Sequence, residues 1–567
     1  MGSVFRGDKA GHSLLPPGLV VHEKDAHFDH DPTAADHGTD VLYRIEKSDS
    51  VGRYMVASRD IFPGEVIFTD QPACVGPDNS SKPMCLGCFS KVNGSYKCPG
   101  CKWPMCRESC TRIPAHRAEC AIFQSRKAVV NVPWFDKPCA YYDAILPMRI
   151  LFLKWYNPKV YRLVTLLMDH NDHLDEVSAK HRKRVIDFIL KTCRLSKDFT
   201  EEEVNHVLGI LTVNSFVVHD HEEDNLDLIG LYPWTSLMSH HCIANTKITT
   251  REDFSYVCQA TTLIHEGQEI VTSYHHYHYQ LYGTSYRRRD LKGTWSFECI
   301  CKRCQDPTES GTLVSGVFCD SCRDGYLLPT HSTDFESPWR CQNCFIQLKS
   351  ADIEAKVKKF EDEIDEIKGT DVEGYEKLLR RMKYALHENH YWILDVKRRL
   401  IDIWGNKPGF ETYKLSKEVL EKKIEYCDQL LEMTAKLSPG PSELRGYLLW
   451  QSHGAQLRLT QWKWIRMRIN TIQYLEQLLK LTDRLKEVVT ILGPIRQDSD
   501  EGQMGLSAKE ELQTLERLIF EMSKHRDTIL ASNKHPLSRL GSAGAGSSRD
   551  SSIEDSHRLQ RRKSICL

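Results

Sequence analysis

Residues 230–304 decide the fold: GLYPWTSLMSHHCIANTKITT from Gly230, ATTLIHEGQEIVTSY from Ala260, and FECICKRC from Phe297 to Cys304. Cys299, Cys301 and Cys304 stand at C-x-C-x2-C spacing. A structural zinc takes four ligands, so one place must be filled from elsewhere in the chain. Cys242, in SHHCIAN, is the candidate, and a metal shared this way would pin a C-terminal flap to the core of its domain. Far upstream, SVGRYMVASRDIFPGEVIFTD (50–70) alternates apolar and polar residues around Pro63-Gly64, a pair suited to a type II turn. Its Ala57, Ile61, Gly64 and Ile67 have the same spacing as Ala260, Ile264, Gly267 and Ile270. Each copy reads as strand, turn, strand. Val41 to about Gly76 and Val213 to Cys304 are therefore expected to form one β-rich domain, split by a long insertion.

A chain of 567 residues exceeds a single core. Its formal net charge of -1 gives no global attraction to nucleic acid or membrane. No apolar run approaches the ~18 residues of a spanning helix, and the N-terminus lacks signal-peptide order, so a soluble intracellular protein is expected. Of 21 cysteines, all but Cys74, Cys139, Cys193, Cys258, Cys427 and Cys566 fall in or beside tight spacings. In a reducing compartment such sets hold zinc in preference to disulfides. The six others read as small packing residues.

The insertion opens with Cys85-x2-Cys88, Cys98-x2-Cys101, Cys106-x3-Cys110 and His116-x3-Cys120. These are eight ligands within 36 residues, enough for two tetrahedral zincs. Lys91, Lys97, Lys102, Arg107, Arg112 and Arg117 outnumber Glu108 and Glu119 and make the segment basic. Residues 121–211 read as helices: PKVYRLVTLLMDH, Val185 to Cys193, and EEEVNHVLGIL opened by a Thr200/Glu203 capping box. Cys319-x2-Cys322 and Cys341-x2-Cys344 have zinc-ribbon spacing. From Asp352 to Leu530 apolar residues recur at three and four, punctuated by Gly405, Pro439-Gly440-Pro441 and Gly493-Pro494. Stacked antiparallel helix pairs fit this pattern. The two ends, with His22, His27, His30 and His37 in the first and Arg561-Arg562-Lys563-Ser564 in the last, read as disordered. Cys566 stands where no prenylation signal forms.

Several of these motifs are familiar together. G-L-Y-P-x-x-S-L-M-x-H-x-C-x-x-N, G-x-E-[IL]-x-x-S-Y and F-x-C-x-C-x-R-C resemble the SET domain and post-SET cap of the SET and MYND (SMYD) protein-lysine methyltransferases. The eight finger ligands match the MYND spacing. The ribbon, and GRYM in place of the usual G-R-G-L, resemble the arthropod-specific subgroup. The resemblance implies an α+β multidomain protein with these parts: a His-rich disordered start (1–40); the N-terminal part of the SET domain (41–84); the MYND finger (85–120); a helical insertion (121–211); the C-terminal SET core (212–295); post-SET (296–310); zinc ribbon (311–350); a TPR-like all-α domain (351–531); and a disordered tail (532–567). It further implies a MYND cross-brace, with Cys85, Cys88, Cys106 and Cys110 on one zinc and Cys98, Cys101, His116 and Cys120 on the other. With Cys242, Cys299, Cys301 and Cys304, and the ribbon's Cys319, Cys322, Cys341 and Cys344, four zinc ions are expected.

The implied activity is S-adenosylmethionine-dependent methylation of a protein lysine, histone or non-histone, an in-line displacement that needs a neutral amine collinear with the transferred methyl. In the resemblance Tyr274 orients the amine, Phe297 lines the lysine channel and Phe216 forms another wall. Cofactor contacts fall on Gly52, Arg53, Tyr54, Asn214, Ser239, His240, Tyr274 and Phe297. Two positions depart from the family: Ser239 replaces an asparagine and Tyr54 a glycine, each at the cofactor's amino-acid end. A lost hydrogen bond there costs roughly 0.5–1.5 kcal/mol. The other reading is a catalytically weak adaptor that recruits partners such as corepressors. His275, His276 and His278 lack ligands at metal spacing and read as loop histidines. The MYND finger implies proline-rich peptide partners, with nucleic acid secondary and no membrane. A monomer in cytoplasm and nucleus is expected.

Overall fold

The computed structural model describes residues 41–48, 52–79, 81–128, 130–171, 176–219, 227–497 and 499–532. The expectations for residues 1–40, for Arg561 to Ser564 and for Cys566 lie outside them. Contacts divide the chain into two units, Met1–Leu515 and Glu516–Leu567. Apart from the bounds of the last helix, which runs on into the second unit, all that follows concerns the first.

Strands β1 (Tyr43–Ser48) and β2 (Gly52–Ala57) form an antiparallel pair, and β3 (Val66–Asp70) and β4 (Cys74–Pro77) lead into the insertion. The insertion carries α1 (Pro114–Ser125), α2 (Ile145–Tyr156), α3 (Pro158–Thr165), α4 (Glu176–Asp187) and α5 (Glu201–Asn214). Beyond it come β5 (Ser215–His219), β6 (Leu228–Leu231), β7 (Ser239–His240), β8 (Thr246–Thr250), β9 (Tyr256–Ala260) and β10 (Val271–Thr272). Sheet orders β3-β9-β8 and β4-β6-β5 each join a strand before the insertion to two after it. The β-rich unit is thus one structure made from two distant stretches.

The internal repeat has a structural reason: its copies pair with each other. Ile61 and Ile264 exchange N–H···O bonds of 2.8 and 2.9 Å. Gly64 N–H donates to Ala260 O while Gly267 N–H donates to Ala57 O, both at 2.9 Å. Ala57, Ile61, Ala260, Ile264 and Ile270 are fully buried there. Gly64 (φ +91°) and Gly267 (φ +76°) take the left-handed place in turns closed by Glu65 N–H to Phe62 O and Gln268 N–H to His265 O. A side chain there would strain the backbone.

Helix α2 anchors the insertion. Ile145 through Leu153 are all buried, so the helix is apolar all round and shows no three-four stripe in sequence. Arg149 is the exception. It holds Glu119 bidentately (both 2.9 Å) and donates to the carbonyls of Val75 (2.7 Å) and Leu86 (2.9 Å). One buried side chain thereby ties the cysteine-rich finger to β4. The Thr200/Glu203 capping box opens α5 with both of its hydrogen bonds. The Val185 to Cys193 segment is the end of α4 running into a π-helical turn, and α3 stops at Thr165, short of the stretch read as helix.

Next come α6 (Thr284–Trp295), α7 (Lys302–Gln305) and a four-stranded sheet in sequence order: β11 (Val317–Phe318), β12 (Tyr326–Pro329), β13 (Trp339–Cys341) and β14 (Gln347–Leu348). Helices follow: α8 (Ser350–Glu366), α9 (Val372–Met382), α10 (Tyr391–Asn406), α11 (Lys417–Leu437), α12 (Glu443–Ile465), α13 (Thr471–Leu492) and α14 (Asp500–Ser532). Three of the breaks follow the punctuation read from sequence: α10 ends just past Gly405, α12 begins after Pro439-Gly440-Pro441, and α13 stops before Gly493-Pro494. Gly440 (φ +87°) marks where this helical region meets the β-rich one: a Cβ there would stand 2.3 Å from the Thr261 carbonyl oxygen.

Candidate active site and metal centres

The cysteines gather into four sets whose ligand atoms lie within 4.8 Å of one another: Cys85, Cys88, Cys106 and Cys110; Cys98, Cys101, His116 and Cys120; Cys242, Cys299, Cys301 and Cys304; Cys319, Cys322, Cys341 and Cys344. Zinc–sulfur bonds of ~2.3 Å in a tetrahedron require sulfurs about 3.8 Å apart, whereas a disulfide needs ~2.05 Å. The observed separations are 3.4 Å for Cys88 to Cys106 and Cys106 to Cys110, 3.6 Å for Cys98 to Cys120, 3.5 and 3.9 Å from Cys242 to Cys304 and Cys299, and 3.7 Å for both ribbon pairs. All sixteen residues therefore fit zinc. His116 turns Nε2 to Cys101 (3.7 Å) and Nδ1 to Glu119 (3.7 Å), the carboxylate held by Arg149. The carboxylate stands behind the imidazole at ion-pair distance, and no hydrogen bond joins the two.

The set around Cys242 has a charged surround. Zinc with four thiolates carries two negative charges, which burial makes costly unless they are offset. Arg287 donates to Cys304 Sγ (3.5 Å) and to Glu309 (2.7 Å), and Arg303 donates to the same carboxylate (3.1 Å). All three side chains are buried. Glu309 also receives the Thr284 N–H at 3.0 Å and the Ser315 hydroxyl at 2.5 Å. Two of the three consecutive arginines of TSYRRRD on α6, Arg287 and Arg288, are buried. Three consecutive arginines just before a cysteine set were the available signal.

His275 lies in the loop after β10, as expected, but the fold gives it partners. Its Nδ1 lies 2.9 Å from Asp290 Oδ2, its side chain is buried, and with His240 and Cys242 it forms a further group of potential ligands. Asp290 lies on helix α6 and Cys242 far upstream, so no local spacing showed them. His276 and His278 have ring centroids 5.0 Å apart with their planes tilted by 50°, and belong to no such group among the described residues.

Tyr274 stands beside this metal set. Its hydroxyl donates to the Met238 carbonyl (2.7 Å) and its backbone N–H donates to His240 Nδ1 (3.0 Å). Because Nδ1 accepts, the proton of a neutral His240 is on Nε2, 3.3 Å from Cys242 Sγ. Burial lowers the His240 pKa, in keeping with that neutral ring. His240 therefore links the Cys242 thiolate to the Tyr274 backbone. Phe297 meets Tyr274 edge-on at 6.0 Å, and Trp295, absent from the sequence reading, lies 5.6 Å from it.

The other site residues are only partly gathered here. Ser239 and His240 pair in parallel with Val271 and Thr272, just before Tyr274. Arg53 lines a crevice with Leu163, Leu167, Pro233, Trp234 and Leu237, and its guanidinium donates to the Leu166 carbonyl (2.7 Å). Gly52 is left-handed (φ +73°). Tyr54 turns its hydroxyl to Glu46 on β1 (3.1 Å). Asn214 spends its amide on the Met168 and Ile210 carbonyls. Phe216 packs edge-on against the stacked pair Tyr232 and Tyr256, away from the Tyr274 rings. Ser273, next to Tyr274, keeps a buried hydroxyl without a partner among the described residues. That free group fits a polar ligand such as S-adenosylmethionine.

The SET domain family model matches residues 52–275. The SET domain-containing protein SmydA-8, isoform A, of Drosophila melanogaster is 27% identical over 334 residues, 56% of this chain and 68% of that protein. The Arabidopsis thaliana histone-lysine N-methyltransferase ASHR1 is 27% identical over 320 residues, 52% and 62% of the two chains. The Gallus gallus N-lysine methyltransferase SMYD2 is 27% identical over 264 residues, 45% and 57%. A solved structure of Rubisco LSMT bound to AdoMet covers 85% of this chain and 90% of its own at 11% identity, with a TM-score of 0.29.

Proposed function

From the premise that this is a SET-domain chain similar to the SET and MYND proteins, the arthropod SmydA group among them, we propose that it is an S-adenosylmethionine-dependent protein-lysine N-methyltransferase. The observation that carries the reading is the tether of Tyr274: hydroxyl to Met238, backbone to His240, and through His240 to the Cys242 thiolate. When bound, S-adenosylmethionine supplies an electrophilic methyl. The chain's part is positioning and exclusion of water. Tyr274, Phe297 and Trp295 enclose the approach, and low polarity there favours the neutral, nucleophilic lysine amine over the ammonium. Backbone at Gly52 to Tyr54 and at Ser239 and His240, with the Ser273 hydroxyl, would hold the cofactor. The finger would bind proline-rich peptides and the helical domain, of TPR-like kind, would add partner surface.

A second reading, a scaffold that recruits partners without catalysis, draws support from Ser239, Tyr54 and the Arg53 guanidinium across the crevice. Calorimetric titration with S-adenosylmethionine separates the two. Binding at micromolar concentrations, with label transferred to a lysine peptide library, supports the enzyme. No heat in a zinc-loaded, folded preparation supports the scaffold.

A further inference from the structure

The turn between α12 and α13 carries chemistry that neither the zinc sites nor the crevice uses. From Leu444 to Leu475 the chain has no Asp or Glu, but it has Arg445, Arg458, Lys463, Arg466 and Arg468. Arg445 pairs with Glu487, while the other four have no carboxylate partner among the described residues. Helix α12 closes in a Schellman turn: Met467 N–H donates to Trp464 O (2.9 Å) and Arg468 N–H to Lys463 O (2.8 Å). The left-handed place of that turn usually goes to glycine. Here Met467 takes it at φ +54°, against the steric preference of a side chain. The result is that Met467 is 82% exposed, beside Ile465 at 51% and Ile472 at 52%. A strained backbone holds an aliphatic side chain out into water, among unpaired cations.

We propose that this turn is a docking site for an anionic lipid bilayer surface. Met467, Ile465 and Ile472 enter the boundary between headgroups and acyl chains, and Arg458, Lys463, Arg466 and Arg468 meet the headgroup charge. Single-stranded nucleic acid also favours basic, tryptophan-rich segments, but it needs open aromatic faces. Here Trp464 is stacked on Tyr474 at 4.4 Å, and Trp462 is covered by Lys417 and Arg466. The side chains left free are aliphatic. Three of them also fall well short of the roughly 800 Å² per partner of a stable protein interface, whereas a bilayer accepts an isolated protruding tip. No helix among the described residues is long and apolar enough to cross a membrane. A peripheral contact is a different case, one that the sequence criterion of a spanning segment does not address.

The test is flotation of the full chain with phosphatidylcholine vesicles, with and without phosphatidylserine. Anionic vesicles should capture at least about ten-fold more protein, and added salt should weaken the capture. Arg466→Gln with Arg468→Gln should lower it by about ten-fold. Met467→Gly is the sharper variant, because it relieves the left-handed strain while deleting the apolar tip. It should melt no lower than wild type yet bind anionic vesicles several-fold less. Equal capture by both vesicle types would overturn the proposal, as would capture unchanged in these variants. So would a preference for a single-stranded oligonucleotide, or self-association through this turn, lost in the same variants.

Discussion

At the scale of single residues, the proposed function gives Tyr274 a second use beside its hydrogen bond to Met238, and the two uses predict different losses. Tyr274→Phe keeps the ring against Phe297 and Trp295 but leaves the Met238 carbonyl without its donor, so stability should fall by about 1 kcal/mol. If the proposed function holds, methyl transfer should fall by about a hundred-fold or more, because in that proposal Tyr274 orients the amine. Label transfer and thermal melts on the same preparation read the two separately, and unchanged turnover would sink the catalytic role. Asp70 gives a pH test. Its Oδ2 accepts from Trp234 N–H, Thr235 N–H and the Thr235 hydroxyl, yet burial pushes its pKa up to about 7. The unfolded carboxyl titrates near ~3.9. Between these values the folded chain holds a proton that the unfolded chain has lost, so this group's contribution to stability declines as pH rises from about 4 to about 7. Asp70→Asn should remove that decline, approaching about 1.4 kcal/mol per pH unit, from denaturant melts at several pH values. An unchanged slope would show the carboxyl to be ionised throughout. Cys242 was legible from sequence because ligand number is arithmetic. Arg287, Glu309 and the His275–Asp290 pair were not, because their partners are near only in space.

At the scale of elements, legibility followed periodicity. The repeat of Ala57, Ile61, Gly64 and Ile67 was visible because a strand, a tight turn and a strand leave a strict spacing, and the structure adds that the copies are each other's partners. Helix α5 was visible through its cap. Helix α2 lies within the stretch read as helical, but its own bounds were not read, because burial from Ile145 to Leu153 erased the stripe that marks a surface helix. Its one charged residue facing the core predicts a large effect. Arg149→Leu leaves Glu119 buried without its cation, and breaking a buried pair from one side costs roughly 3–5 kcal/mol. The loss should centre on the finger, because Glu119 faces the His116 ring and the arginine also holds the Leu86 and Val75 carbonyls. Hydrogen exchange should quicken first in residues 85–120 and the start of α1. If exchange instead rises evenly, the arginine is no anchor of the finger. The double variant Arg149→Leu, Glu119→Gln should recover part of the stability, since no bare charge is then left.

At the scale of the whole molecule, four metal sets are strung along one chain, and they differ in how water reaches them. The ribbon set includes exposed Cys344 and half-buried Cys322; the first finger set has two half-buried thiols; the Cys242 set has one; the set with His116 has none. A chelator takes zinc through local opening, which is easiest where ligands are already exposed. The expected order of release is therefore the ribbon, then the first finger set, with the other two last. The Cys242 set has a second reason to be late, since Arg287 holds charge against its thiolates and two imidazoles crowd Cys242. A purified preparation should hold four zinc per chain, and Cys242→Ser should hold three. In that variant α6 and α7 should lose protection while the ribbon keeps its metal, because this set alone joins the SHHCIAN segment to the cysteines after α6. Tyr274 should loosen with them, since His240 loses its thiolate partner and with it the tether to the Tyr274 backbone. Mass spectrometry of the native protein during chelation, with hydrogen exchange on the variant, checks each step. Four zincs retained in Cys242→Ser, or a ribbon that empties last, would show that access to the ligands does not govern these sites.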